Sequence, residues 1–364
     1  MDGVARPLAL HVFPEFAYGG QQTRLAAIAS APDDPFRHAV VSLGDDISAR
    51  AIMPDGVDVR RVALRKTAGV SSANLRALTA AFRAVEADLL CTYNWGALEA
   101  VAANALGPRL AHVHYEDGFG PDETLTRQKR RRVLMRRVLL ARARVVVPST
   151  GLARVAAEVW RLPRRRVIHL PNGIDLARFA APERGARDGP VLIGAVGALR
   201  PEKNLRLLID AVATLDNARL EIVGDGPARA ALEAAAAPLG DRVVFSGRTA
   251  APEAAYRRFD VFAMSSDTEQ MPLGLMEAMA AGLPTAATRV GDIDAMVADA
   301  ACDFLVEPGD RDGLAEALRR LTDDAALRRR VGAANRDKAH RDFALTRMVA
   351  RHRTVMAAAL DGRS

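Results

Sequence analysis

The sequence predicts an α/β protein of two doubly wound domains, each a parallel sheet with helices on both faces. Three observations lead there. Short β-branched or apolar runs alternate with Ala-, Leu- and Arg-rich helical runs along the 364 residues, as in successive βαβ units. The runs form two series, separated by a Pro-, Gly- and charge-rich stretch at residues 181–190. The length suits two domains of roughly 100–200 residues, each large enough to bury its own core.

In the first series, residues 8–13, 38–43, 89–92, 110–115, 145–147 and 167–170 read as strands, each a short apolar run between turn formers or polar clusters. In the second, the strands are 191–196, 218–223, 243–245, 261–264 and 284–288. Residues 75–86, 204–214, 228–237 and 314–322 carry helical spacing between them. This gives a first domain at 1–187, a second at 188–345 and a terminal helix within 346–364. Ligands of such folds bind outside the carboxyl ends of the strands, and two facing domains would place the site in the cleft between them.

With 49% hydrophobic and 26% charged residues, the chain is neither disordered nor collagen-like. Lys and Arg total 51 against 44 Asp and Glu, a net charge of +7, which suits an anionic partner: nucleic acid, an acidic membrane face or a phosphorylated substrate. Aromatics are only 5% of residues and no stacking pattern or binding module stands out, which argues against nucleic acid. Cys91 and Cys302 stand far apart, without ligand spacing, so neither a disulfide framework nor a zinc module is expected. The apolar run at 7–13 is too short for a secretory signal, and no run reaches the eighteen or so residues of a membrane span. A cytoplasmic protein is the expectation.

The most informative segment is 268–284, Thr-Glu-Gln-Met-Pro-Leu-Gly-Leu-Met-Glu-Ala-Met-Ala-Ala-Gly-Leu-Pro. Pro272 suits a first helical turn, and Gly282 and Pro284 stop the helix. Amides near Leu273 and Gly274 would face an anion, with Glu269 before the helix and Glu277 in its second turn. Phosphates at amides and hydroxyls at carboxylates suit a nucleotide-sugar.

The segment resembles the glutamate motif of the retaining GT-B glycosyltransferases of family 4 (glycosyltransferase group 1). The resemblance implies two Rossmann-like domains, with Glu277 on the ribose hydroxyls and Glu269 near the donor sugar. Residues 194–204, Gly-Ala-Val-Gly-Ala-Leu-Arg-Pro-Glu-Lys-Asn, resemble the family segment whose Arg and Lys clamp the diphosphate. Lys203 matches the Lys, while Ala198 occupies the Arg position, leaving Arg200 as the substitute guanidinium. Val223–Pro227 (Val-Gly-Asp-Gly-Pro) and 245–248 match family strand-end loops. The Pro-Asn-Gly-Ile-Asp turn at 171–175 reads as structural, with Asp175 a cap.

In the first half, Gly19 and Gly20 precede a helix and let backbone approach a ligand closely, which the resemblance assigns to the donor diphosphate. Strand 110–115 carries His112 and His114 on one face. His112 suits a core hydrogen bond, whereas His114 matches the family His that contacts the donor sugar. Glu116, Asp117 and Asn94, all in loops after strands, are candidates for acceptor hydroxyls.

The resemblance implies retaining hexosyl transfer in which the leaving phosphate helps deprotonate the acceptor, with His114, Lys203, Arg200 and Glu269 at the reacting centre. No Asp-x-Asp pair stands at a strand end, so neither metal nor cofactor is expected beyond the nucleotide-diphosphate sugar itself. The last helix, near 345–360, would pack across both domains, as in the family.

Residues 127–144 hold nine basic residues and no acidic one, with Leu134, Met135, Val138 and Leu139 as an apolar stripe and the arginines largely elsewhere. The segment suits either a solvated basic face or an interfacial patch for anionic lipid or a lipid-linked acceptor, peripheral on an inner membrane face. A sugar-nucleotide epimerase could share the architecture. A nicotinamide oxidoreductase would need a Gly-x-Gly-x-x-Gly signature that neither half supplies.

Overall fold

The computed structural model describes residues 6–65, 70–119, 122–181 and 189–362. These divide into two compact units: one runs to Asn172 and resumes at Thr346, and the other is Gly173–Leu345. The boundary expected at 187–188, with residues 182–188 of the expected linker, lies outside the described residues. The division between units comes earlier, just after Asn172.

The first unit holds β1 (Leu8–Phe13), β2 (Arg37–Ser42), β3 (Asp58–Arg61), β4 (Leu89–Tyr93), β5 (Ala111–Tyr115), β6 (Arg144–Val147) and β7 (Val167–His169). All pair in parallel, in the order β3-β2-β1-β4-β5-β6-β7. The second holds β8 (Val191–Val196), β9 (Ala218–Val223), β10 (Val243–Gly247), β11 (Val261–Met264), β12 (Thr285–Thr288) and β13 (Leu305–Val306). These are parallel too, ordered β10-β9-β8-β11-β12-β13. Strand order reverses at β1/β4 and at β8/β11, the switch points where such sheets open a crevice at their carboxyl ends.

Central strands β1 and β4 are buried along their whole length, which is why they read as continuous apolar runs. Edge strand β3 was not legible in this way: Asp58, Arg60 and Arg61 are exposed and only Val59 is buried. In the second unit, helix Ala325–Asp342 also lacks an apolar stripe, because it packs through small and polar residues. A Cβ on Gly332 would stand 2.2 Å from the Gly282 carbonyl. Buried Asn335 accepts from the Ala298 amide (3.1 Å) and donates to the Leu283 carbonyl (3.0 Å).

The basic helix exposes part of its apolar stripe and buries one of its arginines. Within Arg130–Leu139, Leu134 and Val138 are 60% and 64% exposed, while Arg136 is fully buried. Its guanidinium lies 4.9, 5.5 and 4.8 Å from the ring centres of Trp95, Phe119 and Trp160. Two carboxylates complete the enclosure, Glu116 at 3.3 Å and Glu123 at 3.1 Å. Three aromatic faces and two anions outweigh the loss of hydration that normally keeps arginine at the surface.

Helix Leu345–Asp361, expected to pack across both domains, belongs from Thr346 onward to the first unit. Arg353 donates to the carbonyls of Ala31 (2.8 Å), Pro32 (3.0 Å) and Ile28 (3.3 Å), at the end of helix Gly20–Ser30, and lies 3.4 Å from Asp34. Asp34 begins a buried polar chain. Its carboxylate bonds His38 (2.8 Å), His38 bonds His11 (2.9 Å), and His11 bonds the Tyr93 hydroxyl (2.9 Å). Burial and neighbouring His38 hold the His11 imidazole well below its usual pKa, so it serves as a neutral link.

Replacing Arg353 with Ala should cost about 2–3 kcal/mol in urea unfolding, because three helix-end carbonyls and Asp34 lose one cation. Hydrogen exchange should rise first along Leu345–Asp361.

Candidate active site

The second unit's switch point is built from backbone packed on backbone. Gly224 has φ +149°, and a Cβ there would stand 1.8 Å from the Gly197 carbonyl oxygen, so only glycine fits. A Cβ on Gly226 would meet the Leu199 carbonyl at 2.5 Å. Hydrogen bonds from the Gly197 amide to the Val223 carbonyl (2.9 Å) and from the Leu199 amide to the Asp225 carbonyl (3.0 Å) fix the loop after β8. The chain then turns through Pro201–Lys203 and enters helix Leu205–Ala213.

That turn brings Lys203 to Glu269, Nζ to Oε1 at 2.5 Å. Ser266 donates to the same oxygen at 2.8 Å. Ser265 donates to the carbonyls of Lys203 (3.1 Å) and Asn204 (2.9 Å), and Asn204 donates to Asp267 at 2.8 Å. The loops after β8 and β11 are therefore laced together. Beside them opens a shallow recess lined by Gly197, Ala198, Lys203, Ser265, Ser266 and the neighbouring strand ends.

Helix Leu273–Ala280 begins one residue after Pro272, which is its N-cap, and no side chain caps it. Leu273 and Gly274 are half-buried there. A Cβ on Gly274 would lie 3.3 Å from both the Val196 carbonyl and the Tyr256 hydroxyl, so the helix start sits tightly against the end of β8. Buried Tyr256 donates to Glu277 Oε2 at 2.7 Å. Burial raises the Glu277 carboxyl above its ordinary range, with the Tyr256 bond and Arg178 drawing it partly back. Arg200 stands apart from this group: it lies 3.9 Å from Glu202 and is 62% exposed.

In the first unit, Gly20 opens helix Gly20–Ser30, and Gly19 is its exposed N-cap with extended backbone (φ −175°). Asn94 Oδ1 accepts the Asp117 amide at 2.9 Å, and the Asn94 amide donates to the Tyr115 carbonyl at 2.8 Å. Asp117 is gripped by buried Arg24 (2.5 and 2.8 Å) and by Gln21 (2.7 Å). Burial alone would raise the Asp117 carboxyl, yet Arg24 holds it below its ordinary value.

Two expectations need correction on geometry. Glu116, expected to meet acceptor hydroxyls, is enclosed against Arg136 and His114, because the guanidinium cage covers it. His114, expected at the donor sugar, is also fully buried. Its Nδ1 shares the Thr92 hydroxyl (2.8 Å) with His112, and its Nε2 lies 3.5 Å from Glu116. Burial and His114 push His112 down to about 3, so its ring is neutral. Sequence reasoning missed Arg24, Tyr256, Ser266 and the burial of Arg136, whose partners are mostly remote in the chain. Among the described residues, no group of three or more His, Cys, Asp or Glu is arranged to hold a metal ion.

The two doubly wound units, one with a lysine, two glutamates and an open helix start at its switch point, fit the Rossmann-like pair that the sequence resemblance implies. Family models agree: Glycosyltransferase Family 4 matches residues 18–178, and Glycosyl transferases group 1 matches residues 190–324. The chain belongs to the family 4 glycosyltransferases and has the GT-B fold.

Over 157 residues, 41% of this chain, it is 40% identical to the 2-deoxystreptamine glucosyltransferase of Streptomyces kanamyceticus, covering 40% of that protein. Over 278 residues, 68% of this chain, it is 32% identical to the 2-deoxystreptamine N-acetyl-D-glucosaminyltransferase of Streptomyces fradiae, covering 65% of that protein. The match thus spans less than two thirds of either relative. The crystal structure of HepE from Anabaena in complex with UDP has a TM-score of 0.82 to this chain at 18% identity. It covers 96% of this chain and 99% of HepE.

Arg136→Ala should lower stability by about 3–5 kcal/mol in chemical unfolding, since Glu116 and Glu123 would stay buried without their cation. Arg136→Lys should recover only part of this, because an ammonium cannot stack on three rings while bridging two carboxylates.

Proposed function

We propose that the protein moves a hexose-type sugar from a nucleoside-diphosphate sugar to an acceptor hydroxyl, with retention at the anomeric carbon. The observation that carries this reading is the Lys203–Glu269 pair beside the switch-point recess of the second unit. In the transfer, the bond between the anomeric carbon and the diphosphate oxygen breaks, and the acceptor oxygen bonds to that carbon on the same face. The acceptor proton passes to the departing phosphate.

The protein's contribution is mainly electrostatic. Lys203 meets the charge that develops on the leaving diphosphate, and the amides of Leu273 and Gly274 receive its oxygens at the uncapped helix start. Glu269 accepts from hydroxyls of the donor sugar. Glu277, oriented through Oε2 by Tyr256, offers its other oxygen to the ribose hydroxyls. Arg200 supplies the cation missing at Ala198, its exposed side chain lying 3.9 Å from Glu202. With the leaving charge met by side-chain cations and amides, the scheme requires no divalent ion. The UDP complex of HepE and the transferase names of the Streptomyces relatives support a nucleotide-sugar donor.

Calorimetric titration with UDP, GDP and ADP and their hexose conjugates tests the donor directly. Failure of all of them to bind would reject the reading. Lys203→Ala and Glu277→Ala should each slow transfer by about 100- to 1,000-fold with little change in melting temperature. EDTA should leave the rate within about twofold, because no step uses a metal.

The raised Glu277 carboxyl also sets a pH dependence. Its neutral form favours the fold, a contribution complete below its ordinary value of 4.5 and lost as pH rises through the elevated one. Donor affinity runs the other way, because ribose hydroxyls need the ionised carboxylate. Affinity should therefore fall as pH drops into the range just above 4.5, and Glu277→Gln should flatten that profile.

A further inference from the structure

The described residues include seven exposed large hydrophobic side chains, and four of them, Leu106, Leu134, Val138 and Val159, belong to one stretch of the first unit. They lie on or directly after helices Leu98–Leu106, Arg130–Leu139 and Thr150–Glu158, which lead into β5, β6 and β7. Leu134 and Val138 share a face with exposed Arg130 and Arg137, at i, i+4, i+7 and i+8. Exposed Arg142 follows that helix, and the loop carrying it is tied to the turn before β7 by Arg166, which donates to the Arg142 carbonyl at 2.6 Å.

The charge of this region is one-sided. From Thr124 to Ala157 the chain has ten basic residues and no acidic one. Lys129, Arg132 and Arg136 are taken up by Asp122, Glu116 and Glu123, but all three stand off the Arg130–Leu134–Val138 face. Aliphatic side chains standing among arginines give nothing to a nucleic-acid backbone. Of the exposed large hydrophobics only Tyr18 is aromatic, and it lies in the loop after β1. An anionic bilayer matches both parts of the pattern, since headgroup phosphates meet guanidiniums and the acyl boundary accepts Leu and Val.

We propose that the Arg130–Leu139 helix face docks on an anionic phospholipid surface, with Leu134 and Val138 entering the acyl boundary and Arg130, Arg137 and Arg142 on headgroup phosphates. The inference is independent of the transfer reaction, because none of these residues belongs to the site around Lys203.

Co-sedimentation of the full chain with vesicles tests it. Vesicles of phosphatidylglycerol and phosphatidylcholine in equal parts should bind at least about tenfold more tightly than phosphatidylcholine alone, and high salt should weaken the binding. Leu134→Ser/Val138→Ser and Arg130→Gln/Arg137→Gln should each lower affinity by about tenfold with melting temperature unchanged. Equal binding to both vesicle types, or variants that bind like the parent, would overturn the proposal. So would binding to duplex DNA, unaffected by the Leu134→Ser/Val138→Ser change, without binding to vesicles.

Discussion

The contact between Gly224 and the Gly197 carbonyl is the constraint on which the site in the second unit rests. Two strand-end loops approach until their backbones touch, and backbone hydrogen bonds on either side lock the approach. Because the loop after β8 cannot swing away, the turn at Pro201–Lys203 has one course, and Lys203 arrives beside Glu269. The serines after β11 then complete the lacing from the other side. A flexible lysine is thereby held by a rigid frame, which suits a charge that must be in place before a reaction begins.

The net charge of +7 resolves into separate physical environments. One cation is sealed: Arg136 acts as a structural centre that gathers two carboxylates and three rings. Another, Arg24, joins distant parts of the first unit by gripping Asp117. Lys203 is poised beside a recess, and Arg130 and Arg137 are open to solvent. Counting charges could not separate these roles, because burial decides whether a guanidinium is scaffold or surface.

The parallel sheets were legible because they depend on local pattern, whereas Lys203, Glu269 and Glu277 were singled out by the resemblance of their segments to a known family. Buried strands such as β1 are unbroken apolar runs, and the helix after Pro272 is marked by its own proline and glycine. Edge strand β3 was not legible, since a strand with one buried residue among charged ones carries no apolar signal. The facing of helix Arg130–Leu139 was left open for a related reason. Spacing identifies a stripe but not its direction, and the aromatic rings that draw Arg136 inward belong to Trp95 and Phe119 well before it and to Trp160 well after it. Arg24 and Asp117, or Tyr256 and Glu277, are likewise pairs that only the fold brings together. The enclosure of His114 and Glu116 followed from that same cage and could not be read from their place after a strand.

The first unit is discontinuous: the chain leaves it after Asn172 and returns at Thr346 for the helix anchored by Arg353. The second unit is one uninterrupted segment. During synthesis the second unit can therefore fold as soon as it emerges, while the earlier-made first unit waits for helix Leu345–Asp361. Until then the carbonyls of Ile28, Ala31 and Pro32 lack their guanidinium partner, and the Asp34–His38–His11 chain lacks its neighbouring cation. Completion of the first unit is thus coupled to synthesis of the whole second unit, and a chain arrested between Asn172 and Thr346 would carry a first unit without the helix that Arg353 anchors.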